Sequence, residues 1–314
     1  MKVFLAGATG ALGKQLVPRL VTAGHDVFAM TRSASKQTAL RELGATPVLA
    51  DALEPEEVGR AVAEAQPEVI VHQLTALAGS LDMRHFDRDF APTNRLRTEG
   101  ADHLLAAGRG VGVRRFVAQS FAGWPFARAG GPVKTEEDPL DPTPVEGMRR
   151  TLDAIRHLEA SVTGAGWTEG LVLRYGTFYG PGTSLGPEDT EHVELIRKRK
   201  LPVVGDGAGV WSFIHIEDAA EATVAAVERG RRGIYNVVDD EPAPVAEWLP
   251  AVANALGARP PRHVPRRLGR LLAGEAATVM MTEVRGASNA KAKRELGWEP
   301  SHRSWREGFA RMAA

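Results

Sequence analysis

The run "GATGALG" sets glycines at positions 7, 10 and 13, between an apolar stretch and a helical pattern. In that context the first glycine permits a tight turn, the second lets backbone approach a pyrophosphate, and the third allows close helix–strand contact. The helix start that follows attracts phosphate. Gly7, Thr9, Gly10, Ala11, Leu12 and Gly13 are therefore expected to hold a dinucleotide. A site for NAD usually carries an acid about 20 residues further on, for the ribose hydroxyls. Here "AMTRSASK" offers Arg32 and Ser33, with Lys36 nearby and no acid. A guanidinium can clamp a 2′-phosphate by paired hydrogen bonds, so NADP(H) is the expected cofactor. Asp51, with Ala52, closes the third apolar run as an adenine-side contact or a helix N-cap. Gln73 and Leu74, after His72, end the fourth run on the expected cofactor path.

Other reactive groups are sparse. The chain has no cysteine, which excludes disulfides and thiolate chemistry. Its nine histidines are scattered, no two at H-x-x-x-H spacing, so no metal site is expected. Lys+Arg and Asp+Glu are both 39, and this balance points to neither nucleic acid nor an anionic membrane surface. No apolar run reaches the roughly 20 residues that span a bilayer. The amino terminus, "MKVFLAGATG", reads as a first strand and not as an export signal, so a cytoplasmic protein is expected.

Positioning these residues requires a sheet. "KVFLAG", "DVFAMT", "TPVLAD", "EVIVHQL" and "RRFVAQS" are buried-strand patterns ending near Gly7, Thr31, Asp51, Leu74 and Ser120. Leu12, Leu16 and Leu20 recur at helical spacing between the first two, with Pro18 expected to kink that helix mildly. Strand–helix alternation with continuously apolar strands predicts a doubly wound parallel sheet of Rossmann type, covered on both faces. From Trp124 to Pro144 five prolines and two glycines mark a long loop, either a lid over the strand ends or a surface crossover. A helix is expected over Thr143–Ser161. After about Asp240 prolines and an arginine-rich run change the texture, which suggests a smaller carboxy-terminal substrate lobe. The expected division is 1–178 with 210–240 for the dinucleotide domain, and 179–209 with 241–314 for the lobe.

In order along the chain, "GATGALG", "RRFVAQS", "LRYGTFYGPG", "WSFIHIEDAA", "GIYNVVDDEP" and "NAKAKRELGW" resemble segments of the extended or atypical short-chain dehydrogenases/reductases of the NAD-dependent epimerase/dehydratase type. That resemblance implies a Ser or Thr after the fifth strand orienting a substrate carbonyl. It also implies a Tyr-x-x-x-Lys pair in which the lysine lowers the phenol pKa and holds the ribose. Anchored on Glu159, the register puts Thr151 at the tyrosine position and Ile155 at the lysine position. The only tyrosines are Tyr175, Tyr179 and Tyr235. Ser120, Thr151 and Tyr175 are thus the candidate catalytic hydroxyls, Tyr175 also lying against the nicotinamide. His72, Arg149 and Arg150 are further candidates, each with a plain structural alternative. His215 is expected to be structural, at the domain junction. Trp124 and Trp211 would line a flat cleft or pack the lobe.

These features imply an NADPH-dependent reductase of a small-molecule carbonyl, such as an aromatic or polyketide-like ketone, with a non-standard proton source. Two alternatives stand beside it: a sugar-nucleotide epimerase/dehydratase and a non-catalytic NADP(H)-sensing regulator. A homodimer through sheet-covering helices is expected by analogy with such folds.

Overall fold

The computed structural model describes residues 1–77, 82–186 and 190–311. Seven parallel strands form the main sheet: β1 (Lys2–Ala6), β2 (Asp26–Thr31), β3 (Thr46–Leu49), β4 (Val69–His72), β5 (Arg115–Phe121), β6 (Glu169–Tyr175) and β7 (Gly233–Val237). Their spatial order is β7-β6-β5-β4-β1-β2-β3. The chain therefore reverses its direction of winding between β1 and β4. In an open sheet of this kind ligands sit outside the carboxyl ends of the strands at that switch point.

Continuous apolar strands such as Val69–Ile70–Val71 are buried on both sides, as the sequence pattern requires. On one face α1 (Ala11–Thr22) turns Leu12, Leu16 and Leu20 onto the sheet beside helix Ile216–Arg229. On the other lie α3 (Pro55–Ala65), α5 (Ala101–Val111) and α6 (Arg149–Gly164). The crossover from β4 to β5 begins with α4 (Phe86–Arg95) and passes through a π-helical turn, Leu96–Gly100, before α5. A separate aromatic core gathers Tyr179, Phe213, Trp248, Trp305 and Phe309 from the later part of the chain. No helix among the described residues is long and apolar enough to cross a membrane.

Local detail sharpens the picture. Pro18 lies inside α1, which continues through it as one helix. The helix expected from Thr143 begins at Arg149, after a 3-10 turn at Glu146–Met148. The proline-rich loop, expected as a lid or a surface crossover, is held by specific contacts. Val133–Lys134 pairs with Gly286–Ala287, and the Arg128 guanidinium binds Asp141, Glu283 and the Thr143 carbonyl. Trp124 stacks edge-on against Phe86, and Trp211 packs on Trp248 while donating to the Met280 carbonyl. Both tryptophans are half-buried against these neighbours.

Candidate dinucleotide and substrate site

At the β1–β4 switch point the backbone is tight. Gly7 has φ +99°, and a Cβ there would stand 2.5 Å from the Gln73 carbonyl oxygen. A Cβ on Gly13 would stand 2.3 Å from the Gly7 carbonyl oxygen, which is how closely α1 approaches β1. Gly10 differs: it is exposed, and its nearest would-be contact is the Gly7 oxygen at 3.5 Å. Gly10 is also the N-cap of α1. It offers no side-chain cap, and the first turn carries no acid. The Ala11, Leu12 and Gly13 amides thus begin a helix with uncapped donors and a positive dipole end, while half-buried Thr9 borders the turn. Beside them the buried Gln73 Oε1 has no hydrogen-bond partner among the described residues. Uncapped donors, an open glycine face and an orphaned acceptor are what a pyrophosphate-containing dinucleotide would complete, so these residues fit that group.

Around the adenosine end, Arg32 closes β2 with its guanidinium exposed and 3.7 Å from Asp51. The Ser33 hydroxyl meets Ser35. Asp51 accepts from the Leu53 amide, while its own amide donates to Glu57, and Ala52 is buried beneath. Asp51 thus shapes a local turn; the N-cap of α3 is Glu54. Leu74 follows Gln73, its amide donating to His72 Nδ1.

The candidate catalytic hydroxyls are separate from one another. The Ser120 hydroxyl donates to Glu159 Oε1 at 2.7 Å, and Arg174 grips the same carboxylate through Nε and Nη2 at 2.8 and 2.6 Å. All three side chains are buried. Thr151, fully buried on α6, donates to Asp87 Oδ1 at 2.6 Å and accepts from Asn94 Nδ2. Asp87 also accepts the Arg150 and Thr151 amides, so a residue of α4 caps α6. The Tyr175 phenol accepts from Gln73 Nε2 and donates to Thr223, whose own proton goes to the Ala219 carbonyl. Burial pushes that phenol well above its ordinary value, the two hydrogen bonds opposing only in part. His72 is held neutral, its pKa lowered by burial to about 4, with Nε2 on the Leu96 carbonyl.

Motif spacing and strand ends give the backbone cradle and Ser120. The Asp87 cap and the Glu159–Arg174 pair leave no local sequence signal, because their partners lie 15 to 64 residues apart. Arg97 carries no distinguishing signal, since it sits in the polar run Thr93–Gly100 among residues that read as solvated. His215, expected as structural, stacks on His302 at 3.7 Å between ring centroids. His215, Glu217 and His302 are a group whose ligand atoms lie within 4.8 Å of one another, in contrast to the expectation of no metal cluster. The rings are near-parallel at 23°, so their in-plane lone pairs run side by side and do not converge as a metal requires.

A model of the NAD dependent epimerase/dehydratase family matches residues 3–238. A 3-diazoavenalumate denitrifying reductase from a Streptomyces species is 47% identical, covering 99% of this chain and 100% of the relative. A 4-hydroxy-2-methyl-3-oxo-4-farnesyl-3,4-dihydroquinoline-1-oxide ketoreductase from Stigmatella aurantiaca is 27% identical, over 95% and 92% of the two chains. Among solved structures, the UDP-glucose 4-epimerase of Thermus thermophilus in complex with NAD aligns at a TM-score of 0.74 with 26% identity, covering 100% and 98%. The Thermotoga maritima UDP-glucose 4-epimerase with UDP-glucose reaches 0.77 at 22% identity over 100% and 97%, a likeness of fold. With three-quarters of its length matched by the family model and its whole length by a reductase, the chain belongs to the NAD dependent epimerase/dehydratase family and is an oxidoreductase-type enzyme within it.

Proposed function

We propose that the protein is an NADP(H)-dependent reductase acting on an electrophilic small molecule whose reduction takes no proton from a protein acid. A diazo acid in its diazonium form is the leading substrate class, and an activated ketone is the second. Backbone amides at Ala11 to Gly13, beside the open face of Gly10, would hold the pyrophosphate, Arg32 and Ser33 the 2′-phosphate, and Asp51 and Ala52 the adenine side. Gln73, Leu74 and Tyr175 would border the nicotinamide end. When bound, the dinucleotide supplies a hydride.

The observation that carries this reading is the state of the candidate acids. Ser120 and Thr151 each give their proton to a carboxylate. The Tyr175 phenol is buried and poorly acidic, and His72 carries no ionisable proton at neutral pH. None is matched to general-acid work near neutrality. Ketone reduction consumes a hydride and a proton. Replacing a diazonium group by hydrogen consumes only a hydride: a C–H bond forms, the C–N bond breaks, and its electron pair leaves with dinitrogen. The diazo relative supports that acceptor. Diazonium ions couple with thiolates and phenolates, and this chain has no cysteine and buries all three tyrosines. The ketoreductase relative supports the second reading, with water or the substrate's own hydroxyl as proton source.

The test is NADPH oxidation with an arenediazonium carboxylate and, in parallel, a panel of aromatic ketones, with NADH alongside. We expect dinitrogen release, one deuterium in the product arene from deuterated cofactor, and a rate flat between about pH 6 and 8. Turnover confined to ketones, with a pH-dependent rate, would replace the first reading by the second. NADPH binding with no turnover on either would support the sensor. Arg32→Ala should lower kcat/KM for NADPH about 10- to 100-fold and leave NADH nearly unchanged, the loss of one charge-assisted phosphate contact.

A further inference from the structure

Among the buried groups that the proposed chemistry leaves unused, Arg97 stands out. It lies in the π-helical turn, 5% exposed, and its Nη1 is buried without a partner. No hydrogen bond or ion pair reaches its guanidinium among the described residues; the Phe90 ring lies 5.9 Å from Cζ, and Glu159 attracts it from beyond ion-pair contact. A buried cation without a counter-ion is costly, and such groups are ordinarily paired.

Its place in the fold is fixed from both sides. α4 and α6 both cross back between parallel strands and so run in the same direction. Asn94 bonds Thr151 one turn earlier, and Glu159 is the carboxylate whose charge Arg97 feels one turn later. That brackets Arg97 at the level of Ile155, just inside the ends of β4 and β5. His72, which ends β4, bonds the carbonyl of the neighbouring Leu96.

Nearby negative charge is already committed. Glu159 accepts Ser120 and both arms of Arg174. Glu136, the other carboxylate near Arg174, accepts the Asn236 amide. Glu136 is only half-buried and also faces Lys291, so the two buried guanidiniums, Arg97 and Arg174, share one buried carboxylate, Glu159, while His72 stays neutral. The surplus is positive, and it sits at the strand ends, where this fold places ligands.

We infer that Arg97 is a substrate-binding residue that takes the anionic oxygen of the substrate, a carboxylate or an aryl oxyanion, completing the charge balance at these strand ends. The inference rests on the reading that the strand ends are the substrate site. Holding the anionic end there would aim the electrophilic end of an acidic substrate away from the cation. Ile155 and Thr151, both compact, leave α6 without a competing charge at this level.

The test compares acids with their neutral isosteres. Benzoate and cinnamate are titrated against benzamide and cinnamamide, with and without NADP⁺, in the wild-type protein and in Arg97→Met and Arg97→Lys. We expect at least tenfold tighter binding of each acid than its amide in the wild type. Arg97→Met should lose that preference and Arg97→Lys keep part of it. Because the guanidinium has no partner in the free protein, Arg97→Met should unfold at a temperature no lower than the wild type. Equal binding of acid and amide by the wild type would overturn the inference, as would a preference that survives in Arg97→Met. A lower unfolding temperature in Arg97→Met would make the residue structural and overturn it too. Failure of NADP⁺ to bind would count against the cofactor reading alone, since the acid–amide comparison is also made without it.

Discussion

At the scale of single residues, the site is governed by where protons are already spent. Ser120 and Thr151 carry hydroxyls of the right type at the right places, but each donates to a carboxylate at 2.6–2.7 Å, buried Glu159 and half-buried Asp87. Such bonds fix the side chain and remove its proton from use. His72 gives the clearest consequence in solution. Its folded pKa of about 4 lies below the ordinary histidine value because burial disfavours the cation. Between about pH 6.5 and 4 the unfolded chain binds a proton that the folded one refuses. Stability is therefore full above pH 6.5 and is lost as pH falls through that window, by about 3 kcal/mol from this residue. His72→Gln, which can keep a donor towards Leu96 and an acceptor for Leu74, should flatten the dependence. Urea unfolding of both proteins at pH 4.5, 5.5 and 7 checks it, and an unchanged slope would refute the assignment.

At the scale of elements, the cradle is a contact between α1 and β1 that tolerates no side chain on one side and is open on the other. Gly13→Ala would drive a methyl into the Gly7 carbonyl and should destabilise the protein by about 2–4 kcal/mol. Gly10→Ala meets only ordinary contact at 3.5 Å and should leave stability within about 1 kcal/mol. That same methyl stands on the side where a pyrophosphate would approach, so NADPH binding should weaken markedly in Gly10→Ala. Thermal unfolding with and without NADPH separates the effects. Equal destabilisation by both variants would contradict this account of the turn. The α4–α6 pair works by a different device: Asp87 from one helix caps the other, so the floor of the site depends on two crossovers meeting.

Across the whole molecule, the carboxy-terminal segment is tied to the main sheet's helical layer by one buried carboxylate. Asp218, near the start of helix Ile216–Arg229, accepts the Ser301 and His302 amides and the His302 ring. The segment so held delivers Trp305 and Phe309 to the aromatic core around Phe213. Asp218→Ala orphans two amides and should cost about 2–4 kcal/mol. Limited proteolysis should then cut first near residue 300, with the amino-terminal sheet still protected. Uniform degradation would mean that the segment and the sheet unfold together.

What the sequence determined by itself is local and periodic. Glycines three apart between a strand and a helix, apolar runs four to seven long, and leucines at helical spacing are short-range facts. They place the cradle, the parallel sheet and Arg32 at the end of β2 without any knowledge of packing. What depended on tertiary structure is where each polar group finds its partner. Thr151 meets Asp87 across 64 residues, Tyr175 meets Gln73 across 102, and Arg174 meets Glu159 on a neighbouring helix. Burial decided which of these can ionise, and partner choice decided which protons are free. Arg97 is the extreme case. Its type is visible in the sequence, but its lack of a hydrogen-bonding partner arises only when α4, the π-turn and α6 close over it, burying Nη1 while Glu159 acts from beyond ion-pair contact.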